Sequence, residues 1–327
     1  MRADSSAIES RAIAGGRESA VAGIALAGLG VASFSLSFPA TVWALAGFGP
    51  WTVTGLRAVL AAVFAGGALL ITRASLPSRR QLPGLLVVAG GCVVAFPLLT
   101  ALALQTASTA HSAVVIGLLP LATALWATVR GGQRPSRVFW AAAGVGAAAV
   151  VIFALTQHHG TPTGADLLLA AALIACAAGY AEGGRLARTM PSWQVIAWAV
   201  VLAAPVGIGV CALALTAEPL RATPGAWAGL LYLAAISQFG GFVVWYRGMA
   251  LIGVARASQL QLAQPLLTLI WSVLLMGEQL PVAAPVVAVV VLGCILLTQQ
   301  QRPGRAHPTG QVHPTGQAQP TRRDSRS

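Results

Sequence analysis

Lysine is absent from all 327 residues, and only 9% of the chain is charged. Without lysine there is no Gly-x-x-x-x-Gly-Lys-Ser/Thr phosphate loop, which excludes an ATP-driven pump built from this chain alone. The eight acids and five histidines form no cluster of the kind that metal-assisted or acid–base chemistry needs. The four cysteines, Cys92, Cys176, Cys211 and Cys294, sit in four different apolar runs with no CxxC pair, so they read as small apolar filler. No cleavable leader is expected either: the polar stretch 1–18 is followed by an apolar run that continues for a full membrane span, which predicts a retained first helix. No catalytic residue, metal ligand or cofactor is therefore expected.

What the chain has in excess is hydrophobicity. Apolar residues make up 57% of it and its mean hydropathy is +0.77, which excludes an ordinary soluble domain. The net charge of +12 suggests nucleic acid at first sight, but all twenty basic residues are arginines placed singly or in pairs at the ends of apolar runs. That is how topology determinants are distributed, so no nucleic-acid partner is expected. About 20 helical residues cross a hydrocarbon core, and ten runs approach that length, near 20–45, 51–72, 83–105, 109–129, 138–156, 165–185, 194–216, 225–247, 254–276 and 282–299. With the N-terminus inside, eighteen of the twenty arginines fall on the cytoplasmic side, Arg221 lies outside and Arg57 lies within a span. The expected protein is thus an all-α polytopic membrane protein with both termini cytoplasmic.

One stretch occurs twice. A shift of 145 residues lays Pro120-Leu-Ala-Thr-Ala-Leu-Trp126 on Pro265-Leu-Leu-Thr-Leu-Ile-Trp271, and pairs Gly132-Gln133 with Gly277-Glu278. A fixed offset of about half the core predicts a duplication. Five spans per half, an odd number, turn the second copy upside down, and substrate sites of inverted repeats lie at the interface of the two halves near mid-membrane. The expected layout is a cytoplasmic tail at 1–19, a first repeat at 20–156, a second at 165–299, and a disordered cytoplasmic tail at 300–327. In that last segment His307-Pro-Thr-Gly-Gln311 recurs as His313-Pro-Thr-Gly-Gln317, a low-complexity pattern with no core to bury.

Ten spans in two inverted halves, Phe34-Ser-Leu-Ser-Phe-Pro39 in the first span, Gly55-Leu-Arg-Ala-Val-Leu-Ala61 in the second, and the paired proline segments ending in Gly-Gln or Gly-Glu resemble the EamA family of the drug/metabolite transporter superfamily. The resemblance covers roughly residues 20 to 299. It implies a secondary transporter, commonly an exporter of amino acids, metabolites or drugs, with a central cavity between the halves and a place in the bacterial plasma membrane. Where such repeats often close with Gly-Glu, the first copy carries Gln133, so only Glu278 supplies a carboxylate.

Several side chains are candidates for the substrate site. Ser258, Gln261, Gln264 or Pro265, Thr268 and Ser272 recur every three or four residues and share one face of the ninth span. That face serves either as a hydrogen-bonding wall for substrate or as a polar seam between helices; both place it inside the bundle. Tyr232, Phe239 and Tyr246, spaced by seven, with Phe242, Gln238 and Trp245 nearby, suit an amphipathic solute, packing being the alternative. Tyr246 and Trp245 beside Arg247 also fit interfacial anchors. Arg57 could bind a substrate carboxylate, pair internally or snorkel outward. Pro120 and Pro265 interrupt helices at matched positions and are candidate hinges or static kinks. Glu182 is the candidate coupling group, with an ion pair to Arg185 three residues on as the alternative. Glu278 reads as a helix-end cap and His111 as a solvated loop residue.

The expected partners are a small-molecule substrate and the lipid bilayer; a homodimer is compatible with the sequence. The competing readings are a polytopic enzyme acting on lipid and a channel or non-transporting adaptor.

Overall fold

The structure, a computed structural model, describes residues 20–131, 137–157, 162–218, 220–221, 223–252, 260–261 and 263–300, and every regular element among them is helical. Gln133, Ser258 and the His307–Gln317 tail repeat lie outside the described residues. The described helices are labelled in chain order. They are α1 (Ala20–Leu45), α2 (Pro50–Ile71), α3 (Leu82–Ala103), α4 in two pieces (Thr109–Ile116 and Leu119–Gly131), α5 (Arg137–Gln157), α6 (Gly164–Leu186), α7 (Ser192–Ala217), α8 in three pieces (Pro224–Leu231, Tyr232–Gly240 and Gly241–Ile252), α9 (Ala263–Met276) and α10 (Ala283–Gln300).

Six of these, α1, α2, α3, α6, α7 and α8, are long and apolar enough to cross a membrane, at 22 to 26 residues. The other four contain shorter apolar helices, Thr109–Thr123, Trp140–Phe153, Ala263–Met276 and Ala283–Cys294, at the places expected for the remaining spans. The surface is apolar: Leu167, Ile174, Leu213 and Val289 are more than half exposed, whereas Thr52, Ser237, Gln238 and Ser272 are fully enclosed. Apolar outside and polar inside is the arrangement that hydrocarbon solvent imposes.

Local chemistry explains the helix starts. Pro50 and Pro224 stand at first helical positions, where a missing N–H costs nothing. The Ser108 and Thr223 hydroxyls accept the N–H groups of His111 and Ala226 at 3.1 and 3.2 Å, and Thr163 forms a capping box with Asp166 at the head of α6.

The packing follows a two-fold pattern. Helices α2 and α7, counterparts at the 145-residue offset, pack along their length, as do α5 and α10; α3 on α6 is matched by α8 on α1, and α4 on α6 by α9 on α1. The start of α2 meets the residue just past the end of α7, and the start of α4 meets the residue just past Gly277 at the end of α9. Counterpart helices therefore run antiparallel, which is the geometry of an inverted duplication. The α2–α7 seam is tight because Gly55 lies against the backbone of Cys211, where an added Cβ would come within 2.8 Å of the Cys211 nitrogen. Small residues let backbones approach this closely when lipid supplies no hydrophobic force between helices.

Replacing Gly55 with valine should force the seam open. Overpacking of this kind costs about 1–3 kcal/mol, so Gly55→Val should lower the thermal unfolding midpoint in detergent, while Gly66→Val, where an added Cβ meets nothing within 4 Å, should leave it nearly unchanged.

Candidate functional site

The regular hydrogen-bond ladder fails at several places, and they converge. Helix α3 passes through a π-helical segment at Ala89–Ala95 and α8 through another at Tyr232–Gly240. Their last residues, Ala95 and Gly240, are 145 apart, so the irregularity belongs to the duplicated unit. Helix α4 breaks at Gly117–Leu118, one turn ahead of Pro120, and α1 has a single-residue turn at Leu36. An added Cβ on Gly117 would lie 3.4 Å from the Pro265 ring, so the break in α4 packs against the proline of α9. π segments and proline breaks expose carbonyls that must be satisfied inside the bundle.

Side chains from neighbouring helices meet that need. Tyr232 donates to the Ser33 carbonyl at 2.9 Å, Thr268 donates to the Ser35 carbonyl at 2.9 Å, and Gln238 reaches the Cys92 carbonyl at 3.4 Å. Trp271 Nε1 donates to Ser35 Oγ at 2.9 Å. Each of these contacts crosses between the halves.

The breaks surround two adjoining cavities. One, of about 20 Å³, is walled by Gly117, Pro120, Gln261, Gln264, Pro265 and Thr268 among others. The second, of about 40 Å³, is walled by Phe34, Ser37, Arg57, Tyr180, Ser237 and Phe242, with Cys92, Cys176 and Phe96. Phe38, Leu119, Gln264 and Thr268 belong to both, so the two adjoin between the halves. Each has room for no more than a few waters, well below the roughly 300–1,000 Å³ of an open small-molecule site, so the space between the halves is nearly closed in this conformation.

Arg57 is the charged member of that wall. It is 6% exposed; its Nη2 donates to Ser237 Oγ at 3.2 Å, Ser237 shares a 2.7 Å hydrogen bond with Ser37, and Arg57 Nε is buried without a partner. Gln261 is likewise buried with its Nε2 unpartnered. Phe34, Phe242, Tyr180 and Tyr246 form a connected aromatic group, with Phe34 and Phe242 centroids 4.8 Å apart.

The model of the EamA-like transporter family matches residues 21–155 and again 163–299. The chain belongs to that family. A protein of Bacillus subtilis (strain 168) named Uncharacterized transporter YdeK is 44% identical over 277 residues, covering 82% of this chain and 93% of the relative. A solved crystal structure superposes with a TM-score of 0.56 at 19% identity, covering 86% of this chain and 96% of that one, a likeness of fold alone. The family is one of membrane transporters, and so is this EamA chain.

Of the residues singled out in the sequence, the cavity gathers Arg57, Gln261, Gln264, Thr268, Pro120 and Pro265. Tyr232 and Gln238 stand apart from its lining and serve the backbone of α1 and α3. Tyr246 is enclosed beside Phe242, and Trp245 beside Phe34, so neither is an interfacial anchor. Glu182, 3% exposed, holds Arg130 and Arg185, both at 2.8 Å, and ties the end of α4 to α6. Expected to be a solvated loop residue, His111 is instead 5% exposed, stacked on Phe153 and bonded through Nε2 to Asp166 at 2.7 Å. The helix starts at Thr109, where the span near 109–129 put it, but its first turn is enclosed by α5 and α6 instead of facing water.

Ser237, Tyr180, Asp166, Arg130 and Glu218 were not anticipated. Ser237 had a signal: it is the 145-residue counterpart of Cys92, and both line the cavity. Glu218 accepts the N–H groups of Trp51 and Thr52 at 3.2 and 2.8 Å, while Glu278 accepts those of Thr109 and Ala110 at 2.8 and 2.9 Å. The second cap depends on Gly277, whose φ of +64° ends α9 and turns the following carboxylate toward α4.

Asp166→Ala removes the capping box and the His111 bond together. The expected loss is about 1–3 kcal/mol, read as a lower unfolding temperature in detergent. Glu278→Gln should cost about 1 kcal/mol by the same measurement. An unchanged midpoint in both variants would mean that these caps do not hold the helix ends.

Proposed function

We propose that this EamA chain is a secondary transporter with ten membrane-crossing helices, which exports small organic metabolites by alternating access and draws on a proton gradient. The observation that carries this reading is the cavity itself: it lies where the irregular segments of both halves meet, so rocking one half against the other would open it to either side. The breaks at Gly117–Leu118 and Pro265, packed against one another, are the natural hinge. Crossing by all ten helices is supported by length, since α5 has 21 residues and the two pieces of α4 run from Thr109 to Gly131.

Both termini are read as cytoplasmic in a bacterial cell membrane, because the arginine bias requires it. Glu182 is a clamp in this scheme: two guanidinium partners at the end of α4 and α6 satisfy its carboxylate. The bound solute faces Gln261, whose free Nε2 is a ready donor.

Reconstituted vesicles with an internal pH dye test the proposal, with pools of organic acids, amino acids and small aromatic compounds supplied under an imposed gradient. A solute-dependent pH change is expected, reduced about tenfold in Gln261→Ala, the loss of about 1.4 kcal/mol. Glu182→Gln should keep its flux while melting earlier. Solute binding without movement under any gradient would sink the transporter reading. In a cysteine-free background, Arg80→Cys should be labelled from the inner face and Thr106→Cys from the outer; the reverse pattern would overturn the orientation.

A further inference from the structure

The core of the chain contains four acids, Asp166, Glu182, Glu218 and Glu278, and the remaining four lie in the tails at positions 4, 9, 18 and 324. All four core acids are engaged away from the cavity. Asp166 holds His111 and the Thr163 cap, Glu182 holds Arg130 and Arg185, and Glu218 and Glu278 cap α2 and α4. Arg57 therefore lies enclosed in the cavity wall with a neutral serine as its hydrogen-bond partner and, among the described residues, no carboxylate facing it. A guanidinium remains charged at neutral pH. A buried cation without a counter-ion is among the costliest arrangements a low-dielectric interior can hold.

Two features argue that the fold does not require it. At the 145-residue offset the counterpart of Arg57 is Leu202, so the same helix in the other half does without a charge. The unsatisfied polar atoms of the cavity wall are both donors, Arg57 Nε and Gln261 Nε2. A site with surplus donors and one positive charge lacks an anionic acceptor. The rest of the wall is aromatic and apolar, with Phe34, Phe38, Phe96 and Phe242 around it.

We infer that the cavity, widened when the halves move apart, binds organic monocarboxylates, with the carboxylate on Arg57 and an apolar or aromatic body against Phe34 and Phe242. The planar fork of arginine matches a carboxylate in two parallel hydrogen bonds. An α-amino group would bring a second positive charge near Arg57 with no acid in the lining to receive it, so a simple acid is preferred over the corresponding amino acid. The inference rests on the transporter reading for its biological sense, but binding can be measured without flux.

The test is calorimetric binding to the purified full-length protein with three probes: 3-phenylpropionate, its neutral amide 3-phenylpropionamide, and phenylalanine. The acid should bind at least tenfold more tightly than the amide and more tightly than phenylalanine, and Arg57→Gln should abolish the preference for acid over amide. Arg57→Lys should keep that preference with weaker binding. Without ligand, Arg57→Gln should melt no earlier than the parent, because it removes an uncompensated charge. Equal binding of acid and amide, no binding of the acid at millimolar concentration, an acid preference that survives Arg57→Gln, or an Arg57→Gln variant that loses its fold would each overturn the inference. Flux in vesicles separates the two claims: Arg57-dependent acid binding without transport sinks the transporter reading alone, and transport of neutral solutes with no acid preference sinks the anion site alone.

Discussion

Hydrocarbon offers no hydrogen bonds, and this constraint shapes the molecule. A carbonyl released from a helical ladder must find a donor within the protein. The turn in α1 and the π segment of α3 are accordingly met by Tyr232, Thr268 and Gln238, donors from the other half. Irregular backbone is confined to the interior between the halves, and the cavity forms there because broken helices cannot pack as closely as intact ones.

Charge obeys the same rule with higher stakes. Acids are used at helix ends, where backbone N–H groups or arginines neutralise them: Glu218 and Glu278 on α2 and α4, Asp166 on α6, and Glu182 between Arg130 and Arg185. The Glu218 and Glu278 caps reach from the second half to the first, so they fasten the halves as well as the helices. Arg57 stands outside this scheme, which makes it the most informative side chain in the protein.

Much of the architecture was legible in the sequence. The 145-residue offset gave the duplication, and the polar stripe of the ninth span did face inward at Gln261, Thr268 and Ser272. The site was less legible, for a physical reason. A polar side chain within an apolar span must point inward whether it serves a substrate or a stranded carbonyl, so spacing alone cannot separate Gln261 from Tyr232. His111 was misplaced because the groups that enclose it, Phe153 and Asp166, come from α5 and α6, and Asp166 is 55 residues away in sequence. The π segments leave no mark in composition, although their recurrence at one offset ties them to the duplicated unit.

The α4–α6 seam is riveted at both ends, by His111 and Asp166 at one and by Arg130, Glu182 and Arg185 at the other. The described part of its counterpart, α9 on α1, is joined by neutral hydrogen bonds from Thr268 and Trp271 near the turn in α1. Were the halves identical, the two-fold would convert one facing conformation into its mirror role, and the two would be isoenergetic. Unequal seams lift that degeneracy. Under the alternating access proposed above, this asymmetry would give the carrier a preferred resting side even before any solute or gradient acts on it.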